Sequence, residues 1–301
     1  MVKFITFLSF VLIINQSNFG QTISDSCAVD KSRLTWVIGT EAALYSGTII
    51  GLNELWYKDF PRSSFHHFND NSDWLQMDKV GHVVTAYYVG MVGMDALRWA
   101  GVDQRKSRWY GGGLGWLFLS SVEVLDGFSE EWGFSSGDMI ANTLGTGLLI
   151  GQDIMWNEQR IVLKFSFKQS SYASLRPGTL GMGWEEEVIK DYNGQTYWVS
   201  ANIHSFLPEE SGFPKWLSIS GGYGVDGVIA SGSDYVILSD QASILIPQQR
   251  QFYLGPDIDL WRIPTKRKGL KTLFKALGFI KLPLPALKLQ DGELEFQGFT
   301  F

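Results

Sequence analysis

Cysteine is nearly absent from this chain: Cys27 stands alone among 301 residues. A lone thiol excludes an internal disulfide framework and any multi-cysteine zinc or iron–sulfur centre. Charge is sparse too, at 19% of residues, and leans acidic, with a net charge of −6. That balance offers no general basic surface and argues against a nucleic-acid partner. Gly-x-Ser-x-Gly, HExxH and phosphate-loop spacings are also missing, so standard hydrolase, metalloprotease and nucleotide-binding assignments have no support. No cofactor is indicated. What the chain does have is apolar and aromatic material, at 45% and 14% of residues. Such a composition excludes a disordered protein, and the length suits two domains.

The amino end reads as a secretory signal peptide over residues 1–20. Lys3 precedes an apolar run from Phe4 to Ile14, polar residues follow, and the small Gly20 marks the cleavage point. The run is shorter than the roughly twenty residues of a spanning helix. Ser24-Asp25-Ser26 before Cys27 is not a lipid-attachment context. The expected location is the periplasm or outer membrane.

The mature chain changes character near residue 158, which divides a helical part, 21–158, from a β-rich part, 159–301. Four apolar segments rich in Gly and Ala run over approximately 35–57, 78–101, 108–127 and 137–157. Each approaches the length that crosses a bilayer as a helix. Against insertion stand the ionisable groups inside the segments, Glu41 and Asp95 among them. Charge also opposes it. Arg105, Lys106 and Arg108 occupy one connection and Glu130 and Glu131 the next, which inverts the positive-inside rule for a periplasmic amino end. A polytopic inner-membrane protein is the alternative location. Beyond Trp156, alternation such as Ile161, Leu163, Phe165 and Phe167 predicts strands. Asn193-Gly194 predicts a hairpin turn between Glu187–Tyr192 and Gln195–Ile203. Lys268–Leu277 reads as a short amphipathic helix, and the basic patch Lys266, Arg267, Lys268 and Lys271 beside Leu273 and Phe274 reads as a solvated turn, with contact to anionic headgroups as the alternative. Aromatic Phe296, Phe299 and Phe301 near the end resemble the last strand of an outer-membrane barrel, but six or so strand candidates are too few for one. The fold class is α+β: a bundle of about four helices followed by an antiparallel β-rich half.

Three polar clusters interrupt the apolar helical pattern. Asp78 and His82 are four apart and share a helix face, with Lys79 beside them. Glu123 and Asp126 are three apart at the end of the third helix; Asp138 and Asn142 are one turn apart at the start of the fourth. If neighbouring helices run antiparallel, Asp78, His82, Glu123, Asp126, Asp138 and Asn142 meet at one end of the bundle. The residue types admit a buried hydrogen-bonded network, a divalent metal site, or a histidine base with an orienting carboxylate. The loop with His66, His67, Asp70 and Asp73 reads as solvated.

The runs WLQMDKVGH (74–82), EVLDGFSEEWGFSSGDMIANTLG (123–145), KDYNGQTYWVS (190–200) and RQFYLGPDIDLWRI (250–263) resemble the YfiM-like predicted periplasmic or outer-membrane lipoproteins. These form the domain of unknown function numbered 2279, and the likeness is to its large Bacteroidetes-type members over nearly the whole mature chain. The helical half is also similar, more loosely, to VanZ-like membrane proteins. The resemblance implies an envelope location, a membrane or envelope partner, no established activity, and one site made of Asp78, Lys79, His82, Glu123, Asp126, Asp138 and Asn142.

Overall fold

The computed structural model describes residues 29–58, 60–239 and 242–300. The signal peptide and Cys27 lie outside them. The chain is α+β, and its contacts group it into two units. One holds residues up to Asn71 together with Lys79–Gln159; the other holds Ser72–Asp78 and the chain from Arg160 onward.

The helical unit is built on α1 (Lys31–Leu52), α2 (Met77–Trp99, whose first two residues group with the sheet unit), α3 (Leu114–Asp126) and α4 (Ser136–Trp156). Two starts are capped by side chains. Asp30 accepts from the Ser32 and Arg33 amides at 3.0 Å, and Ser135 Oγ accepts from the Asp138 amide at 3.1 Å. The expected third helix is broken: Ser107–Gly111 forms a wide π-type turn, and regular helix begins only at Leu114. Glycines set the helix spacing. A Cβ on Gly115 would stand 2.0 Å from the Ala86 carbonyl oxygen, and one on Gly145 would stand 2.1 Å from that of Val83. At the far end of α4, Arg98 and Arg108 both grip the buried Asp153, at 2.7 and 2.6 Å.

Helices α1, α2 and α4 run 22, 23 and 21 residues. Among the described residues, however, no helix is both long and apolar enough to cross a membrane. The polytopic alternative therefore finds no spanning helix here. The physical reason is the set of charged and strongly polar groups that these helices turn inward.

In the sheet unit, strands β1 (Ile161–Phe167), β2 (Gln195–Asn202), β3 (Leu217–Asp226), β6 (Gln249–Ile258), β7 (Leu284–Gln290) and β8 (Glu293–Thr300) pair antiparallel in that order. Between β3 and β6 in sequence, β4 (Tyr235–Ser239) and β5 (Ala242–Ile246) form a separate ribbon. Two strands escaped the sequence reading. β5 follows β4 too closely to stand out, and the signal of β7 is masked by Pro283 and Pro285. The register of β7 slips between Leu284 and Ala286, beside Pro285.

The expected hairpin at Asn193-Gly194 is a correction. Trp184–Lys190 is helix α5, with three glutamates in its first turn, where the helix dipole favours them. Asn193 is spent on tertiary links instead: its Nδ2 donates to the Val228 carbonyl at 2.9 Å and its Oδ1 accepts from the Val228 amide at 2.7 Å. Helix α6 (Lys268–Leu277) matches its predicted bounds. Before α2, Trp74, Leu75 and Gln76 hold φ of 50°, 49° and 64°. This left-handed turn is costly for such residues. Packing holds it: Trp74 and Leu75 lie against a cluster of Met77, Val225 and Val228, and Tyr223 Oη donates to the Leu75 carbonyl at 2.5 Å.

Candidate functional site

The polar residues of the helical unit converge through four segments. Lys79 and His82 project from the first turns of α2, Glu123 and Asp126 from the last turn of α3, Asp138 and Asn142 from the first turns of α4. The loop before α2 adds Asp70. Lys79 Nζ lies 3.1 Å from Asp138 Oδ1 and also pairs with Asp70. Asp70 in turn accepts from Ser135 Oγ at 2.6 Å. Ser135 therefore does three things: its hydroxyl caps α4 and binds Asp70, and its amide donates to Glu123 Oε2 at 3.1 Å.

His82 sits between two partners. Nδ1 is 3.0 Å from Asn142 Oδ1, and Nε2 is 3.8 Å from Glu123 Oε1. An amide oxygen only accepts, so Nδ1 donates to Asn142, and the Nε2 edge faces the Glu123 carboxylate. Asn142 is fully buried, and its Nδ2 has no hydrogen-bond partner among the described residues. Asp126 accepts from Tyr57 Oη at 2.5 Å. Burial, then the charge of Asp126, drives the Tyr57 hydroxyl well above the ordinary phenol range. Burial by itself would raise the Asp70 carboxyl, but hydrogen bonds from Lys79 and Ser135 outweigh it and hold the group below its ordinary value.

Asp78 stands one turn before His82 on the same helix, and its carboxylate accepts from Tyr192 Oη at 3.3 Å. The site is nearly closed to water: Glu123 is 2% exposed and Asn142 0%.

The structure thus brings Lys79, His82, Glu123, Asp138 and Asn142 into one bonded cluster, with Asp126 one turn from Glu123. Sequence reasoning missed three members. Tyr57 and Ser135 carry only hydroxyls, uncharged at neutral pH, which do not single them out in an apolar or loop segment. Asp70 was assigned to a solvated loop. Its neighbours do not behave as metal ligands either: His66 Nε2 lies 2.7 Å from the Trp132 carbonyl, and His67 packs against Phe65 and Phe134.

Glu41 on α1 is a separate, half-buried acid. Burial pushes its carboxyl up to about 7, and its Oε1 has no hydrogen-bond partner among the described residues. The folded state therefore binds a proton that the unfolded chain, titrating near 4.5, has already lost. Stability should decline as pH rises from about 4.5 to about 7 and level off above. Urea midpoints measured across that range should show the decline in the native protein and a flatter profile in Glu41→Gln.

Residues 66–150 match the model of a family described as predicted periplasmic lipoprotein (DUF2279). The matched stretch contains α2, α3 and most of α4, with every residue of the cluster except Tyr57. No curated protein and no solved structure matches the chain.

Proposed function

We propose that this is an exported, envelope-associated protein whose helical part, 21–158, is organised around a buried lysine–histidine–carboxylate network, and whose part from 159 onward is a β-rich module. Residues 1–20 act as the cleaved leader. The family matched over 66–150 supports the envelope reading, as do the wider likeness to its large Bacteroidetes-type members and the looser one to VanZ-like membrane proteins. One observation carries the structural role. Lys79 is held by acids from two different segments, and the Ser135 that binds one of them also binds Glu123 of a third. Such cross-links fix helix register.

A second reading, a membrane-proximal hydrolase using His82 as base or ligand with Glu123, Asp126 or Asp138 as partner, draws support from the approach of His82 Nε2 to Glu123 Oε1 and from Asn142 Nδ2, which has no hydrogen-bond partner among the described residues. Metal analysis separates the two. Under the network reading the purified protein is metal-free, and His82→Ala and Asp138→Ala lower its stability by about 1–3 kcal/mol each. Stoichiometric zinc or manganese that vanishes in both variants establishes the second reading. Recovery of the intact, unprocessed chain in the cytosol defeats the export claim in either case.

A further inference from the structure

The main sheet is patterned the wrong way round for water. One face is packed inward and is polar. Lys164, 1% exposed, pairs with the fully buried Asp257 at 2.7 Å; Ser200 Oγ donates to the same carboxylate at 2.5 Å; and Lys281 Nζ lies over the Trp198 ring at 4.9 Å. The opposite face is apolar and open from Val199 to β8, and covered at β1, where Leu163, opposed to Val199, is 4% exposed. Directly opposed residues run across it from Val199 through Gly221, Leu254 and Leu287 to Phe296, crossing five strands. The four large members of that row are 41–69% exposed. A second exposed row joins Phe252, Leu289 and Leu294, ending at Tyr223, whose hydroxyl is tied to the Leu75 carbonyl. Between Ile219, Pro256, Pro285 and Phe296 this face dips into a groove of about 520 Å³.

Water rewards the reverse arrangement, with the polar face out; an exposed apolar face of this extent marks a surface that meets another apolar phase. The occupant is indicated by the β6–β7 connection, which leaves the sheet after Ile258, runs beside β1 at Phe279–Lys281 and re-enters at Leu284. It carries α6, where Lys268, Lys271 and Lys275 are interspersed with exposed Leu270, Leu273 and Leu277. No Asp or Glu occurs between Leu260 and Gln290. Basic residues beside exposed leucines complement anionic headgroups over acyl chains.

We propose that the open sheet face and α6 together form a seat on an anionic lipid bilayer, with the sheet rows and the α6 leucines in the acyl boundary and the lysines at the headgroups. The inference rests on the envelope reading above only for where such a bilayer is met. Flotation of purified full-length protein tests it without reference to export, so a failure here and a failure of that reading are distinguishable.

The protein should float with phosphatidylglycerol–phosphatidylcholine vesicles and much less with phosphatidylcholine alone. Lys268→Glu/Lys271→Glu/Lys275→Glu should lower vesicle partitioning about tenfold or more, and Leu254→Ser/Phe296→Ser should do likewise. The last two positions are exposed, so melting should show both variants folded. An independent readout leaves the face nearly intact: a polarity-sensitive dye on Leu294→Cys, with Cys27→Ser, should shift to the blue when the anionic vesicles are added. Absence of flotation, undiminished binding by either variant, an unmoved dye, or a dimer that Leu254→Ser/Phe296→Ser dissociates would each overturn the proposal.

Discussion

Replacing Lys79 with methionine is expected to cost about 3–5 kcal/mol of folding stability, the cost of removing one partner from a buried ion pair. The ammonium is 12% exposed and lies between two carboxylates, one of them, Asp138, only 4% exposed. Without it, Asp70 and Asp138 face each other with no intervening positive charge, and the Ser135 hydroxyl donates to Asp70. Chemical denaturation of Lys79→Met should show the loss at neutral pH. Adding Asp138→Asn should recover a large part of it, because the second change removes the charge that the first left unpaired. Acid should narrow the gap as well. Asp70 is held below its ordinary value in the folded native protein, so its contribution is complete above about pH 4 and is lost as pH falls below that. In Lys79→Met the same carboxyls gain by protonating, so the two stability curves should converge under acid. Curves that stay parallel down to pH 3 would contradict a charge-based role for Lys79.

Gly145→Val carries the second large expected effect, about 3 kcal/mol or more. A Cβ at 145 would stand 2.1 Å from the Val83 carbonyl oxygen and 2.9 Å from its carbon, both main-chain atoms that cannot rotate away. Relief requires α2 and α4 to separate. These two helices hold the His82–Asn142 and Lys79–Asp138 contacts, and a hydrogen bond near 3 Å does not survive an ångström of separation. The variant should therefore lose the polar cluster together with the packing. Gly147 on the same helix is the control. Nothing lies within 4 Å of a Cβ built there, so Gly147→Ala should gain about 0.5–1 kcal/mol from the removal of glycine's conformational entropy. Thermal melts of the two variants should move in opposite directions. A neutral Gly145→Val would mean that the close helix crossing is not required.

These two residues also mark how far the sequence reads. The i, i+4 spacing of Asp78 with His82 and of Asp138 with Asn142 places each pair on one helix face, since helix geometry depends on local spacing alone. Glycine recurrence signalled close helix contact for the same reason. Asp70 joins the network from a loop that has no period to read, and Tyr57 enters as the partner of Asp126 from the chain after α1. Asn193-Gly194 shows local preference overruled. The pair suits a hairpin, but two hydrogen bonds to Val228, 35 residues away, hold Asn193 in another arrangement.

Local chemistry therefore determined the α+β order, most of the helices and strands, and the sides of the helices that carry acids and the imidazole. The tertiary structure decided which of those sides meet and which loop residues complete them. It also decided which way the sheet faces. Alternation along a strand has a period of two whichever face is covered, so Val199, Leu254 and Leu287 read the same pointing into a core or away from it. Only the chain packed over the Lys164 side, placing a buried ion pair there, turns the apolar rows outward.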